Sequence, residues 1–320
     1  MKNAQLLRRL LMIICVLAAV FFCAAAVAEP SDWHNCGADE GKANVKWMYN
    51  DGTLYIEGTG DMQNFNPNGP WGVSYGNKIS SVEIGEGVTN IGARAFIGCA
   101  VKDISIPSTM KKIGAAAFQQ CNMLEKIEIP DGVQTISTYA FSECGKLTEV
   151  TIPESVTGIG TYAFYNCGAL KYVTILGGVE TIMPSAFSNC KSLIRVDLPK
   201  SVTLIRGSAF SSCSSLKSVV IPGSKTKIED AAFNKCPKEM EIICACSAPY
   251  VEEFAAKKGF TCLHFPHDYI NGICSKCGAE EPSHDIPPKT GDGTNPALLA
   301  LLMVMSAGIV ISMAAARKKN

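Results

Sequence analysis

The sequence contains very little histidine: four residues in 320, and none between His34 and His264. Histidine is the side chain most often used for acid–base catalysis, and it commonly activates serine and cysteine nucleophiles. A histidine-based catalytic site therefore cannot lie in this central stretch. The carboxylates there are scattered, and no pair repeats or stands out. The sequence thus predicts a protein that is not an enzyme.

The chain also lacks an excess of either charge, with 29 basic and 29 acidic side chains. Removal of residues 1–28 and 291–320 lowers the basic residues to 23 and the acidic ones to 28, a net charge of −5. Nucleic-acid binding requires clustered positive charge. The charge balance therefore argues against nucleic acid as a partner.

The N-terminus has the composition of a secretory signal peptide. Three basic residues precede an apolar stretch over 10–27, and Ala26 and Ala28 form an A-x-A pattern. This order predicts a signal peptide over 1–28 that is removed on export. The alternative interpretation is an uncleaved membrane anchor.

The C-terminus contains a second apolar stretch, over 297–316, followed by three basic residues at 317–319. Twenty predominantly apolar residues match the thickness of a bilayer, and the basic residues favour the cytoplasmic side. We therefore predict a transmembrane segment over 297–316 and an extracellular body between the two ends.

Phe and Cys recur at a fixed spacing through the middle of the chain. The first step is 22 residues and the next ones are 23. Such self-similarity is the signature of a solenoid. The recurring residues are Phe96, Phe118, Phe141, Phe164, Phe187, Phe210 and Phe233, with Cys99, Cys121, Cys144, Cys167, Cys190, Cys213 and Cys236.

One unit, 124–144, shows how each coil is built. Leu124, Ile127 and Ile129 alternate with polar residues, which predicts a short half-buried strand. Pro130 ends that strand because it cannot donate to a ladder. A second short extended segment and a tight turn close the coil, and stacked coils bury a continuous core.

The consensus A-F-x-x-C-x-x-L-x-x-V-x-I-P-x-x-V-x-x-I-G resembles the BspA-like, or Treponema-type, leucine-rich repeats of surface antigens, over residues 79–236. The resemblance and the period imply a mainly β fold, a right-handed leucine-rich-repeat solenoid over 79–243 with about seven repeats. The ladder cysteines are predicted to be buried thiols, because parallel side chains in register have the wrong torsion for a disulfide.

The segments on either side of the repeats are predicted to cover its ends. Over 29–78, Asp51-Gly52 lies between alternating apolar residues and predicts a β-hairpin cap, with Trp47 and Trp71 over the first coil. This segment also resembles the usual entry segment of the family.

Over 244–263, a short helical cap is predicted at 248–258, with Ser247 as its N-cap. Tyr250, Val251, Phe254 and Ala255 share its apolar face. An extracellular setting permits a disulfide, for which the expected pair is Cys246–Cys262. Spacing alone does not determine the connectivity with the nearby Cys244.

The segment 264–286 contains a Cys-x-x-Cys-Gly motif with flanking histidines, which resembles small Cys/His modules between the body and the anchor of Gram-positive surface proteins. Such a knuckle can turn two sulfurs towards one ion, and imidazoles can complete a tetrahedron. Zinc is therefore expected at His267, Cys274, Cys277 and His284. The alternative is a Cys274–Cys277 disulfide. No cofactor is expected in the solenoid.

The final segment, 287–320, begins with Pro-Pro-Lys-Thr-Gly before the apolar stretch and the basic tail. This order resembles a sortase sorting signal, in which an enzyme cuts between Thr and Gly and joins the Thr to the cell wall. The resemblance implies cleavage between Thr290 and Gly291 and attachment to peptidoglycan, with the membrane holding the chain before sorting. A plain single-span anchor is the alternative.

Any binding is expected on the outward side of the strand face, which carries mixed charges and a single aromatic residue. Our candidate binding residues are Lys126, Glu128, Tyr172, Arg195 and Asp197. The family resemblance implies an adhesin-like module on a bacterial cell wall, with host or neighbouring-cell surface proteins as partners. The alternative function is a structural wall spacer with no dedicated ligand.

Overall fold

The computed structural model describes residues 33–38, 45–245, 247–265, 269–270 and 273–274. The chain divides into two compact units, Met1–His267 and Asp268–Asn320. The second unit contains an antiparallel pair of two-residue strands, Tyr269–Ile270 and Ile273–Cys274. Within the described residues, no helix is long and apolar enough to cross a membrane. The predicted signal peptide (1–28) and span (297–316) lie outside those residues.

The first unit is a mainly β solenoid of about eight turns, which confirms the fold class predicted from the repeat. Neighbouring turns pair in parallel along two faces. The strand face contains β3 (Thr53–Glu57), β5 (Ser81–Ile84), β7 (Asp103–Ser105), β10 (Glu149–Ile152), β12 (Tyr172–Ile175), β14 (Arg195–Asp197), β16 (Ser218–Ile221) and β18 (Glu241–Cys244). The opposite face contains β4 (Gly60–Asp61), β6 (Val88–Ile91), β8 (Lys112–Ile113), β9 (Thr135–Ile136), β11 (Gly158–Ile159), β13 (Thr181–Ile182), β15 (Leu204–Ile205) and β17 (Lys227–Ile228).

The strand predicted within residues 124–129 does not form. No backbone hydrogen bond joins residues 126–129 to a neighbouring coil in the described part of the chain, so the strand face is interrupted between β7 and β10. Ile127 and Ile129 are nevertheless buried, while Lys126 and Glu128 are exposed. The apolar pattern determines which side chains are buried, whereas ladder bonds depend on how closely adjacent backbones approach.

The core of the solenoid is a column of stacked phenylalanines. Neighbouring rings from Phe96 to Phe233 lie 5.0–5.4 Å apart between centroids and are nearly parallel. Beside them, the ladder thiols donate to phenylalanine carbonyl groups of the preceding coil, as in Cys167 Sγ to Phe141 O at 3.1 Å. The described ladder cysteines are free thiols. Each coil is therefore bound to its neighbour by ring stacking as well as by backbone pairing.

The turns that carry Phe96 to Phe210 each place two residues in the left-handed region, and the turn of Phe233 places one there, Lys235. In the coil around Phe141 these are Tyr139, with φ 59°, and Glu143, with φ 62°. The pattern recurs from coil to coil, for example at Tyr162 and Asn166. Left-handed backbone costs a non-glycine residue roughly 1–2 kcal/mol. The turns exchange backbone hydrogen bonds with the next coil, including Tyr139 N to Thr161 O at 3.1 Å, and this pairing offsets the cost.

The N-terminal segment forms a hairpin and a short helix. Strands β1 (His34–Asn35) and β2 (Lys46–Asn50) pair antiparallel, β2 pairs antiparallel with β3, and β3 pairs in parallel with β5. Helix α1 (Pro70–Tyr75), which was not expected from the sequence pattern, buries Trp71 against Phe96. The Trp71 Nε1–H donates to the carbonyl of Ala95 at 2.7 Å. Because β3 pairs in parallel with β5, the hairpin extends the strand face by one strand.

At the other end, helix α2 (Pro249–Lys258) ends at Gly259, whose φ of 73° suits a left-handed C-cap. The N-cap is Ala248 rather than the expected Ser247, and the Glu252 carboxylate accepts a hydrogen bond from the Ala248 N–H at 3.0 Å. Val251, Phe254 and Ala255 are buried, whereas Tyr250 is exposed. After the helix, β19 (Thr261–His264) pairs in parallel with β18.

Candidate functional site

The side chains of the strand face alternate between the core and the solvent. In β10, Val150 and Ile152 are buried while Glu149 and Thr151 are exposed. The parallel register keeps equivalent outward positions beside one another, so that Glu149 pairs with Tyr172 and Thr151 with Thr174. The outward residues therefore form continuous rows across the coils, as expected of successive strands in one sheet.

A groove of about 560 Å³ opens on this face near the N-terminal end of the solenoid. We call it the acidic groove. It is lined by residues of β3, β5 and β7 and by residues 126–128 of the interrupted segment. Four carboxylates and one ammonium group line it: those of Glu57, Glu83, Asp103, Glu128 and Lys126. The excess of carboxylates gives the groove a negative potential, which a positively charged group would complement.

The interruption of the sheet adds main-chain groups to the acidic groove. Residues 126–128 line it and make no backbone hydrogen bond to either neighbouring coil within the described part of the chain. Unpaired N–H and C=O groups at a strand edge can pair with an extended segment of another protein. The groove thus combines negative charge with main-chain donors and acceptors.

The five predicted binding residues fall into two groups. Lys126 and Glu128 line the acidic groove. Tyr172, Arg195 and Asp197 lie on β12 and β14, beyond the interruption of the sheet. There Tyr172 is about half exposed and pairs in register with Arg195. The Arg195 guanidinium binds the Asp197 carboxylate, with Nη2 to Oδ1 at 2.8 Å, so this group is neutralised within the protein.

Two groups of groove residues were absent from the candidate binding residues. The outward residues Tyr55 and Glu57 belong to the hairpin, and they reach the groove because β3 pairs with β5. Glu83 and Asp103 occupy outward positions that the repeat register identifies, but their clustering with Glu57 depends on that pairing. The alternation in Thr53–Glu57 was the available signal for the two hairpin residues.

The other predicted sites fall mainly outside the described residues. His267, Cys277 and His284 lie outside them, as do Cys246, Thr290 and Gly291, and only the backbone of Cys274 is described. The sulfur of Cys262, the other half of the expected disulfide, lies 3.1 Å from Cys244 Sγ. Both are free thiols.

Comparison with known proteins identifies the repeat. The model of a family described as BspA type leucine rich repeat region matches the chain in six copies, over residues 73–191 and 111–240. No curated protein matches the chain significantly.

Several solved structures are similar. A leucine-rich repeat protein from Bacteroides ovatus is 22% identical, with 71% of this chain and 76% of that chain covered and a TM-score of 0.41. The leucine rich repeat protein of T. pallidum is 23% identical, with 71% and 97% covered and a TM-score of 0.47. A leucine rich cell surface protein from Faecalibacterium prausnitzii is 20% identical, with 72% and 96% covered and a TM-score of 0.28.

Proposed function

Because the chain belongs to the BspA-type leucine-rich repeat family, we propose that it is a bacterial surface protein that binds other proteins through its strand face. The repeat family and fold are typically non-enzymatic. A similar protein, from F. prausnitzii, is described as a cell surface protein. Host or neighbouring-cell surface proteins are the partners that such display would make accessible. The chain thus acts as an adhesin-like module.

The acidic groove is the observation that carries this proposal. Its four carboxylates are exposed, and the same groove is lined by residues 126–128, which make no backbone hydrogen bond to a neighbouring coil in the described part of the chain. A positively charged, extended segment of a partner would satisfy both features at once. The groove residues Lys126 and Glu128 therefore belong to the binding site, whereas the self-neutralised pair Arg195–Asp197 contributes less to it.

Charge reversal tests the groove. In the double variant Glu83→Lys/Asp103→Lys, we expect binding of a surface-protein partner to weaken by about tenfold to a hundredfold, since each close charge pair contributes on the order of 1 kcal/mol. Lys126→Glu, which adds negative charge to the groove, should strengthen the same binding. Affinity is measured by surface plasmon resonance with a partner isolated from host matrix or bacterial surface extract.

The matched control is Glu154→Lys/Glu180→Lys, which makes the same change of charge at exposed positions outside the groove. It should leave the affinity within about twofold, because screening weakens distant charges. If no partner is captured, or if the groove and control variants lose equal affinity, a structural spacer is the better description.

We further propose that the protein is exported through residues 1–28 and joined to peptidoglycan at Thr290, with the segment 297–316 holding it in the membrane before sorting. The order of the motif, the apolar stretch and the basic tail supports this anchoring. It would display the acidic groove outside the cell.

Thr290→Ala tests the anchor. Because the variant lacks the threonine at which the sortase-like signal would be cut, we expect the protein to remain in the membrane fraction instead of the wall fraction. Fractionation followed by immunoblotting measures the distribution, and Thr294→Ala, in the same segment, serves as the control. Recovery of Thr290→Ala in the wall fraction at the unaltered level would contradict sortase-type attachment.

A further inference from the structure

A cluster of metal-binding side chains lies where β18 and β19 pair, at the end of the solenoid opposite the acidic groove. The ligand atoms of Cys244, Cys262 and His264 all lie within 4.8 Å of one another. Cys244 is buried, Cys262 is half-buried and His264 is exposed. The three residues therefore converge at the edge of the core, where one side of the cluster is open to solvent.

The pairing of the strands explains why these three side chains meet. In the parallel register, Ile242 pairs with Cys262 and Cys244 pairs with His264. Alternation places all four residues on the same side of the sheet. His264 is thus directly beside Cys244, and Cys262 lies diagonally from it. Two thiols and an imidazole are a ligand set that suits zinc.

The same register disfavours a disulfide between the two cysteines. Paired strands lie about 4.8 Å apart, and Cys262 is two residues away from the position opposite Cys244. The Cα atoms of Cys244 and Cys262 are therefore about 8 Å apart. Cysteines with Cα atoms more than about 7 Å apart cannot be bridged without backbone movement. Their sulfurs, 3.1 Å apart, approach because both side chains extend towards each other. Two thiolates on one tetrahedral zinc are about 3.8 Å apart, which a small rotation of either side chain provides.

A carboxylate supports the imidazole in the manner of known zinc sites. Glu252 Oε1, on α2, lies 3.3 Å from Nε2 of His264. Metal-binding histidines usually donate their second ring N–H to such an acceptor, which orients the ring and leaves the other nitrogen free for the ion. The Glu252 carboxylate is itself held by the Ala248 N–H at 3.0 Å. The helix, the last coil and β19 all contribute to the cluster.

We propose that Cys244, Cys262 and His264 form a zinc site that joins β19 to the last coil of the solenoid. The two cysteines bind as thiolates and release two protons to solvent, and the imidazole binds through the ring nitrogen that does not face Glu252. A water molecule on the exposed side completes the tetrahedron. None of these three ligands belongs to the set expected in the segment 264–286, which is His267, Cys274, Cys277 and His284.

The test uses the full chain in detergent, in a Cys274→Ser/Cys277→Ser background that removes the cysteines of the C-terminal module. After incubation with zinc and dialysis, inductively coupled plasma mass spectrometry should find one zinc per chain. Cys262→Ser and His264→Gln should each reduce this to the level of the buffer. Cobalt substitution should give a thiolate-to-metal charge-transfer band that weakens in Cys262→Ser.

Cys236→Ser is the matched control, because Cys236 is a half-buried thiol outside the cluster whose Sγ donates to Phe210 O. It should retain the zinc. His264→Gln alters an exposed side chain, and circular dichroism verifies that it folds. The proposal is overturned if zinc content is unchanged in Cys262→Ser and His264→Gln, or if the background chain binds none. It is equally overturned if peptide mass spectrometry finds Cys244 and Cys262 joined with the loss of two hydrogens.

Discussion

Replacing Phe164 by alanine is expected to destabilise the solenoid by about 3–5 kcal/mol, the usual cost of removing a core phenylalanine. The ring is fully buried and stacks between Phe141 and Phe187 at 5.2 Å on either side. Because each coil contacts only its neighbours, a cavity in the middle of the column weakens the coupling between the two halves of the array. Urea denaturation followed by far-UV circular dichroism should show the main transition at a much lower midpoint.

Phe233→Ala is the matched comparison at the end of the column. Phe233 stacks on Phe210 at 5.3 Å, but its other ring contacts, Phe254 and Phe260, are tilted and 6.0–6.4 Å away. Loss of the Phe233 ring should destabilise the last coil and α2. The urea concentration at the midpoint of the main unfolding transition should change little. Equal losses in the two variants would contradict a linear stack of nearest neighbours.

Raising the pH above 9 is expected to unfold the solenoid steeply. Burial raises the pKa of Cys99, Cys144 and Cys190 to about 12, and it raises the pKa values of Cys121 and Cys167 well above the usual value. A hydrogen bond with Cys236, together with burial, raises the pKa of Cys213 well above the usual value as well. In the unfolded chain, thiols titrate near their ordinary pKa of about 8.5–9.

The direction follows from proton linkage. Between pH 9 and 12 the unfolded chain loses thiol protons that the folded chain keeps, so the stabilisation is complete below pH 9 and is lost as the pH rises towards 12. Each thiol contributes about 1.4 kcal/mol per pH unit in this window. Six such thiols give about 8 kcal/mol per unit, which is comparable to the whole stability of a typical domain.

The measurement is the free energy of unfolding in urea at several pH values, with a reductant present to prevent oxidation. In Cys144→Ser/Cys190→Ser the hydroxyl groups can still donate to the phenylalanine carbonyls but do not titrate in this range. The slope of the free energy of unfolding against pH should then be smaller by about a third. This holds whatever effect the two substitutions have on stability at pH 8. An unchanged slope would mean that other groups cause the alkaline unfolding.

Much of the fold is readable from the sequence, because the repeat places the same side chain in the same environment at every turn. Phe141 and Cys144 identify the core turn, and their equivalents follow at the same spacing. The segment 126–129 shows the limit of this reasoning. Its apolar residues are buried as predicted, yet its backbone does not join the ladder, since hydrophobic spacing carries no information on the distance between coils.

The candidate sites were harder to predict, because each depends on pairing between segments outside the repeat. Glu57 reaches the acidic groove only because β3 pairs in parallel with β5. Cys262 meets Cys244 because β19 pairs with β18 in one particular register. Spacing along the chain indicates that such segments exist, but their register is determined by packing in three dimensions.

The interruption of the strand face also has a mechanical consequence. If the two ends of the body are pulled apart, the force acts on the hydrogen bonds between adjacent coils, and these bonds break one after another. Between β7 and β10, residues 126–129 contribute no such bonds in the described part of the chain. The opposite face, the turns and the bond from Thr148 N–H to Glu125 O connect the coils there. Tension would therefore separate adjacent coils first at residues 126–129. Under the force of flowing liquid, the coils nearest the acidic groove would unfold while the later coils remain folded.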